Sequence, residues 1–140
     1  MSSVSFASEQ TDFIVSNQEN LTNWFIEVCK CEAKTLGDLA YIFCSDDYLL
    51  GMNKQFLSHD YYTDVITFDY TDTETTSGDV FISIDRVREN AETASQTIDN
   101  ELHRVMVHGL LHLLGYGDKS PTEKTLMTSK EDFYLSLRAF

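Results

Sequence analysis

The run from Ile98 to Leu114 constrains the fold more than any other part of the chain. It reads IDNELHRVMVHGLLHLL, strongly apolar in its second half, and is stopped by Gly115 and Gly117. A helix this apolar belongs at the centre of a packed domain, since any bare face would leave leucines and valines in water. The same helix carries His108 and His112 within VHGLLHLL. Burying two imidazoles among leucines is costly unless each finds a partner. Four residues apart, at about 100° per residue, they lie about 40° from each other on one face, within reach of one ion. Gly115 and Gly117 allow the backbone to reverse, and Asp118 follows as a carboxylate that the turn can bring back beside both rings. A His-His-carboxylate set with an open fourth position is the arrangement of a catalytic zinc site. We therefore expect one Zn2+ per chain, held by His108, His112 and Asp118.

The remaining pattern supplies the scaffold. Val4 to Phe6 and Phe13 to Val15 read as short strands. With Asn17 as N-cap, Leu21, Trp24, Phe25 and Val28 recur every three to four residues and predict an amphipathic helix ending near Lys30. Leu39 to Cys44 predicts a buried strand. Ser45, followed by Asp46 and Asp47, places a cap and two acids where a helix start favours them, with Leu49, Met52 and Phe56 as the buried stripe down to Leu57. Asp64 to Tyr70 and Asp79 to Ile84 alternate like strands around a polar turn, Thr71 to Ser77, and predict a hairpin. Asp85 to Ala94 reads as a helix, and Pro121 suits the first turn of a last one running toward Leu137. The expected fold class is α+β: one domain over residues 1–140, a small mixed sheet packed with about five helices, and the metal site on a central helix and its following turn.

Charge and cysteine usage narrow the function. Ten Lys and Arg against 23 Asp and Glu give a net charge of −13, which repels polyanions at long range and disfavours non-specific nucleic-acid binding. A nucleic-acid substrate then needs a metal ion and a local basic cluster. Cys29, Cys31 and Cys44 are odd in number, lack C-x-x-C spacing and read as reduced core thiols. No segment reaches the roughly 18 apolar residues of a membrane span, and Met1 to Val15 has no apolar leader core, so we expect a cytoplasmic protein.

A metallopeptidase helix carries glutamate beside its first histidine to activate water, and this chain has Gly109 there. Either the ion acidifies its water unaided or Glu101 assists. Glu101 lies about 20° from His108 but two turns back, and equally suits a solvated acid at a helix start. His103, about 140° around from His108, reads as a surface or supporting group.

The string HGLLHLLGYGD, His108 to Asp118, resembles the signature H-G-x-L-H-L-x-G-Y-D-H of the YbeY family of metal-dependent endoribonucleases. Asn53 to Phe68, chiefly Thr63, Asp64, Val65 and Phe68, and Ser77 to Ser83 (SGDVFIS) resemble two further family blocks. The resemblance implies a zinc-dependent, single-strand-specific endoribonuclease of ribosomal RNA processing, acting in 3′ end maturation of 16S rRNA and in ribosome quality control. It also implies ribosomal RNA and ribosome or assembly proteins as partners, and neither membrane nor DNA. Two departures stand out. Asp118 replaces the family's third histidine, and a carboxylate oxygen also ligates zinc at about 2.0 to 2.2 Å. Leu57 stands where the family carries an arginine that engages RNA phosphate, so another cation has to take over: Arg86, Arg88, Arg104, which shares the histidine face, or Lys119. Asp64 and Asp79 either orient the cleft or close strand-entry turns. The rival readings are a ribosome-assembly binding factor with a structural metal, and a metal-dependent hydrolase of another substrate.

Overall fold

The protein is described from a computed structural model over residues 3–58 and 63–140; His59 to Tyr62, inside the block Asn53 to Phe68, lie outside the described residues. The elements are β1 (Ser3–Glu9), α1 (Gln18–Cys31), β2 (Thr35–Cys44), α2 (Asp46–Leu57), β3 (Val65–Asp69), β4 (Thr75–Ser83), α3 (Ile84–Thr93), α4 (Ile98–Leu113) and α5 (Pro121–Ser136). The sheet order is β1-β2-β4-β3, with β1, β2 and β4 parallel and β3 antiparallel to β4. Among the described residues this is the expected α+β arrangement, a mixed four-stranded sheet with five helices.

Helix starts follow their capping hydroxyls. Ser45 accepts from the Tyr48 N–H, Ser83 from Arg86, Thr97 from Asn100, and Ser120 forms a reciprocal capping box with Glu123 ahead of Pro121. Asn17 departs from expectation: it holds the cap position of α1 in a left-handed conformation (φ 60°), and its side chain makes no cap bond. Phe13 to Val15 is not a strand. Phe13 packs edge-on to Phe43 at 5.2 Å and Val15 is buried, so their alternation reflects a loop pressed onto the core without a ladder. β2 begins at Thr35, four residues before the expected Leu39, because Gly37 and Asp38 form an irregularity in the ladder rather than a turn; the Asp38 N–H donates to Ser77 Oγ at 3.2 Å. β4 likewise begins at Thr75, inside the expected turn.

The main core lies between one face of the sheet (Tyr41, Phe43, Val80, Ile82) and the apolar faces of α1, α4 and α5. On the other face, Cys44, Leu49 and Ile66 form a smaller core beneath α2, flanked by Phe68 and Phe81. α4 is the central helix and contacts α3, α5, β3 and β4. Tyr41 Oη ties it to the sheet by donating to the Met106 carbonyl at 2.8 Å, and Trp24 Nε1 ties α1 to α5 through the Tyr134 carbonyl at 2.9 Å. Cys29 and Cys44 are buried, their thiols pushed up to about 12 first by burial; Cys31, expected in the core, is exposed. No helix among the described residues is long and apolar enough to cross a membrane.

His103 is not on the surface. It is 6% exposed, 6.0 Å from the Trp24 ring and 5.4 Å from Phe140, and its Nδ1 accepts from Arg138 Nη1 at 2.7 Å. The far side of α4 is covered by α1 and by the chain after α5, which helical angle alone could not reveal. Burial, and then the Arg138 charge, lower its pKa from 6.5 to about 4. A folded-state pKa below the unfolded one means the unfolded chain binds the extra proton. The stabilisation is therefore complete above pH 6.5 and is lost as pH falls toward 4, by about 3 kcal/mol. Urea unfolding of the wild type and His103→Gln at pH 7 and pH 4 checks this: the variant, which cannot titrate, loses that part of the pH dependence.

Candidate metal centre

α4 ends where Gly115 adopts φ +106°, a conformation open to glycine at little cost, and the reversed chain returns the Gly115 N–H to His112 and the Tyr116 N–H to Leu111. At the far end of the loop, the Glu123 carboxylate accepts from the N–H groups of Lys119 and Ser120. Asp118 sits between these two fixed ends.

This loop brings Asp118 Oδ2 to 3.3 Å from His108 Nε2 and 3.3 Å from His112 Nε2, while the two Nε2 atoms are 3.0 Å apart. Tetrahedral ligands at about 2.0 to 2.1 Å from an ion stand roughly 3.4 Å from one another, so this triangle has the edges such an ion needs. The outer nitrogens are already engaged. His108 Nδ1 donates to Glu131 Oε2 at 2.6 Å, and His112 Nδ1 donates to the Tyr116 carbonyl at 2.9 Å. With the ring proton on Nδ1 in each case, the two neutral imidazoles turn their Nε2 lone pairs toward the same point. A carboxylate behind one ligating histidine and a backbone carbonyl behind the other are the usual supports of a metal-binding imidazole. The donor set thus fits a divalent cation: two neutral imidazole nitrogens and one carboxylate converge, and one side remains open.

That side faces a cleft of about 370 Å³, bounded by Asn53 and Leu57 of α2, Thr63 and Asp64, residues Val65 to Thr67 of β3, and the three ligand candidates. Burial lowers the basicity of His108; Glu131, Asp64 and Asp118 outweigh it and leave the imidazole pKa raised. Glu101 is half-buried further back on α4. Burial raises its carboxyl pKa, Arg104 opposes this, and Asp64 and Glu131 add to it, which sets Glu101 among the acids behind the cleft.

None of Arg86, Arg88, Arg104 and Lys119 is among the residues that line the cleft. Arg104 pairs with Glu131 at 2.9 Å and Asp132 at 2.6 Å on α5; Arg86 pairs with Asp46 at 3.0 Å; Arg88 and Lys119 are exposed. Among the described residues no lysine or arginine lines the cleft, and Leu57 forms part of its wall. Asp64 borders the cleft, whereas Asp79 accepts from Tyr70 Oη at the far end of the hairpin. Gly109, in the place of the peptidase glutamate, is a close-packing residue: a Cβ there would stand 2.6 Å from Val80 Cγ1.

Sequence reasoning missed Glu131. Its signal was present: Met127, Glu131, Tyr134 and Leu135 share one buried face of α5, and a carboxylate in the middle of an apolar stripe requires a partner.

Comparison with known proteins bears on this geometry. The family model described as Endoribonuclease YbeY matches residues 4–138. Proteins named Endoribonuclease YbeY from Cytophaga hutchinsonii and Phocaeicola vulgatus are 50% and 48% identical to this chain over 136 and 134 residues, covering 96% of this chain in each case and 95% and 97% of theirs. The solution structure of TM1509 from Thermotoga maritima matches with a TM-score of 0.67 and 28% identity, covering 96% of this chain and 87% of that one. With a His-His-Asp triangle on α4 and the loop after it that could hold a metal ion, and with a family match over nearly its whole length, this chain belongs to the endoribonuclease YbeY family.

Proposed function

We propose that residues 1–140 act as one metallohydrolase domain, a zinc-dependent endoribonuclease that cuts single-stranded ribosomal RNA in the cytoplasm, at the 3′ end of 16S rRNA and in ribosome quality control. The observation that carries this reading is the His108, His112 and Asp118 triangle opening onto the cleft, on a chain whose relatives are named endoribonucleases. Zinc, when bound, supplies Lewis acidity at a phosphodiester oxygen and acidifies water toward neutral pH. His108 and His112 bind through Nε2 because Glu131 and the Tyr116 carbonyl hold their other nitrogens, and Asp118 closes the set. Glu101, its carboxyl pKa raised by burial and neighbouring acids, is the group suited to accept a proton behind them.

Among the described residues the cleft offers the RNA backbone no lysine or arginine, and its wall at Leu57 is uncharged. On a chain of net charge −13, substrate engagement then depends on the ion and on presentation by the ribosome or an assembly protein. The same wall favours a second reading, a ribosome-assembly factor that binds without cutting and whose ion is structural.

Purified protein with stoichiometric zinc, added to structured ribosomal RNA with and without chelator, separates the two. Chelator-sensitive cleavage supports the nuclease; intact RNA at full zinc occupancy supports the binding factor. Asp118 provides a finer check. Asp118→Ala leaves two protein ligands and is expected to weaken zinc binding at least about tenfold, whereas Asp118→His supplies an imidazole nitrogen at similar reach and keeps the ion. Equal affinity in wild type and Asp118→Ala, measured by competition with a chromophoric chelator, removes Asp118 from the site.

A further inference from the structure

Behind the metal centre lies a second cluster, built around Glu32 at the C-terminal end of α1. Its carboxylate is 12% exposed and takes three donors: Tyr116 Oη at 2.5 Å, Lys130 Nζ at 3.1 Å, and Tyr134 Oη. Burial pushes this carboxyl up, and hydrogen bonds from Tyr116, Tyr134 and Lys130 outweigh it, holding the carboxyl below its ordinary range. The Lys130 ammonium also stands 5.4 Å over the Tyr116 ring. Tyr116 is thus held at three points: its N–H by Leu111, its carbonyl by His112 Nδ1 and its hydroxyl by Glu32. Two residues further along comes Asp118. One loop therefore supplies the acceptor that orients one imidazole and, two positions on, the carboxylate of the triangle, and the hydrogen bond that tethers the Tyr116 hydroxyl to another part of the fold runs to a residue 84 positions away.

We propose that Glu32 is a positioning residue of the metal centre: by anchoring the Tyr116 hydroxyl it sets where the Tyr116 carbonyl meets His112 and where Asp118 meets the ion. This rests on the reading of His108, His112 and Asp118 as metal ligands. A merely structural role would consist in joining α1 to α5, and Tyr134 and Lys130 perform that joining without Tyr116. The two roles separate in Tyr116→Phe, which cuts the tether to the loop, keeps the backbone carbonyl and leaves Tyr134 and Lys130 on Glu32.

Titration of the purified full chain with Co2+, followed by its visible absorption, tests the proposal. Tyr116→Phe and Glu32→Gln are expected to weaken Co2+ binding about tenfold, within the usual range for groups behind metal ligands, and to change the intensity and position of the bands that report ligand geometry. Val28→Ala, which empties core space under the same helix without touching the loop, loses stability to urea and keeps the wild-type affinity and spectrum. Should Glu32→Gln fail to fold, Tyr116→Phe still decides: wild-type affinity and spectrum in that variant overturn the proposal. Absence of Co2+ uptake by the wild-type protein overturns the metal-site reading instead, so the two failures are distinguishable.

Discussion

Alanine in place of His108 is expected to lower RNA cleavage about a thousandfold, the scale of losing an ion that acidifies water and polarises the phosphodiester. The effect should be chemical and not a collapse of the fold. His108 is only partly buried, and removing its ring leaves Glu131 paired with Arg104 at 2.9 Å, so no buried charge is stranded. Zinc content falls with activity because two donors, His112 Nε2 and Asp118 Oδ2, remain of three. Elemental analysis beside steady-state cleavage checks the assignment. A variant that loses activity while retaining one zinc per chain would show that His108 serves the reaction without holding the ion.

Glu131→Gln is expected to weaken zinc binding by about 10 to 100-fold, the usual range for a carboxylate behind a ligating histidine. The carboxylate accepts from His108 Nδ1 at 2.6 Å and from Arg104 Nη1 at 2.9 Å, and an amide cannot serve both donors. If its NH2 turns toward His108, Nδ1 has to become the acceptor and the ring proton moves to Nε2, which removes the lone pair aimed at the ion. If it turns toward Arg104, two donors oppose each other in a site 7% exposed. Glu131→Leu goes further and removes one of the two carboxylates on Arg104 while Asp132 stays at 2.6 Å, with an expected destabilisation of about 1 to 3 kcal/mol, the scale of a lost hydrogen bond to a charged group. Zinc competition assays and urea unfolding on both variants separate the metal effect from the fold effect. Wild-type zinc affinity in Glu131→Gln would mean that the carboxylate does not set the tautomer.

The parts of this molecule that sequence could disclose are those whose geometry is local. His108 and His112 are joined by the helix period, Asp118 by a glycine turn, and Ser45, Ser83, Thr97 and Ser120 by caps that act within three residues. What stayed hidden depends on packing between distant segments. Arg104 does share the histidine side of α4, but the neighbour on that side is α5, and Glu131 and Asp132 take the guanidinium that sequence reasoning offered to RNA. His103 lies away from the ligands, and that side of a central helix is protein rather than water. The Glu32 tether to Tyr116 spans α1 and the loop after α4, with no motif to announce it. Gly109 is the instructive middle case. Its presence excluded the peptidase glutamate from the start, and the reason, Val80 pressed against the helix, needed the sheet to be in place.

Chain order gives the α5 contacts a consequence for how the protein matures. His108, His112 and Asp118 all precede Pro121, whereas Glu131, Lys130 and Tyr134 follow it. On a growing chain these three proposed ligands therefore emerge first, without the carboxylate on His108 Nδ1 and without the two donors that hold Glu32 beside the loop. On the proposed reading of these residues as metal ligands, tight metal capture is expected only once α5 has been synthesised and has docked against α1 and α4. In that reading α5 is an arming segment: a chain cleaved ahead of Pro121 is expected to carry all three proposed ligands and to bind the ion weakly.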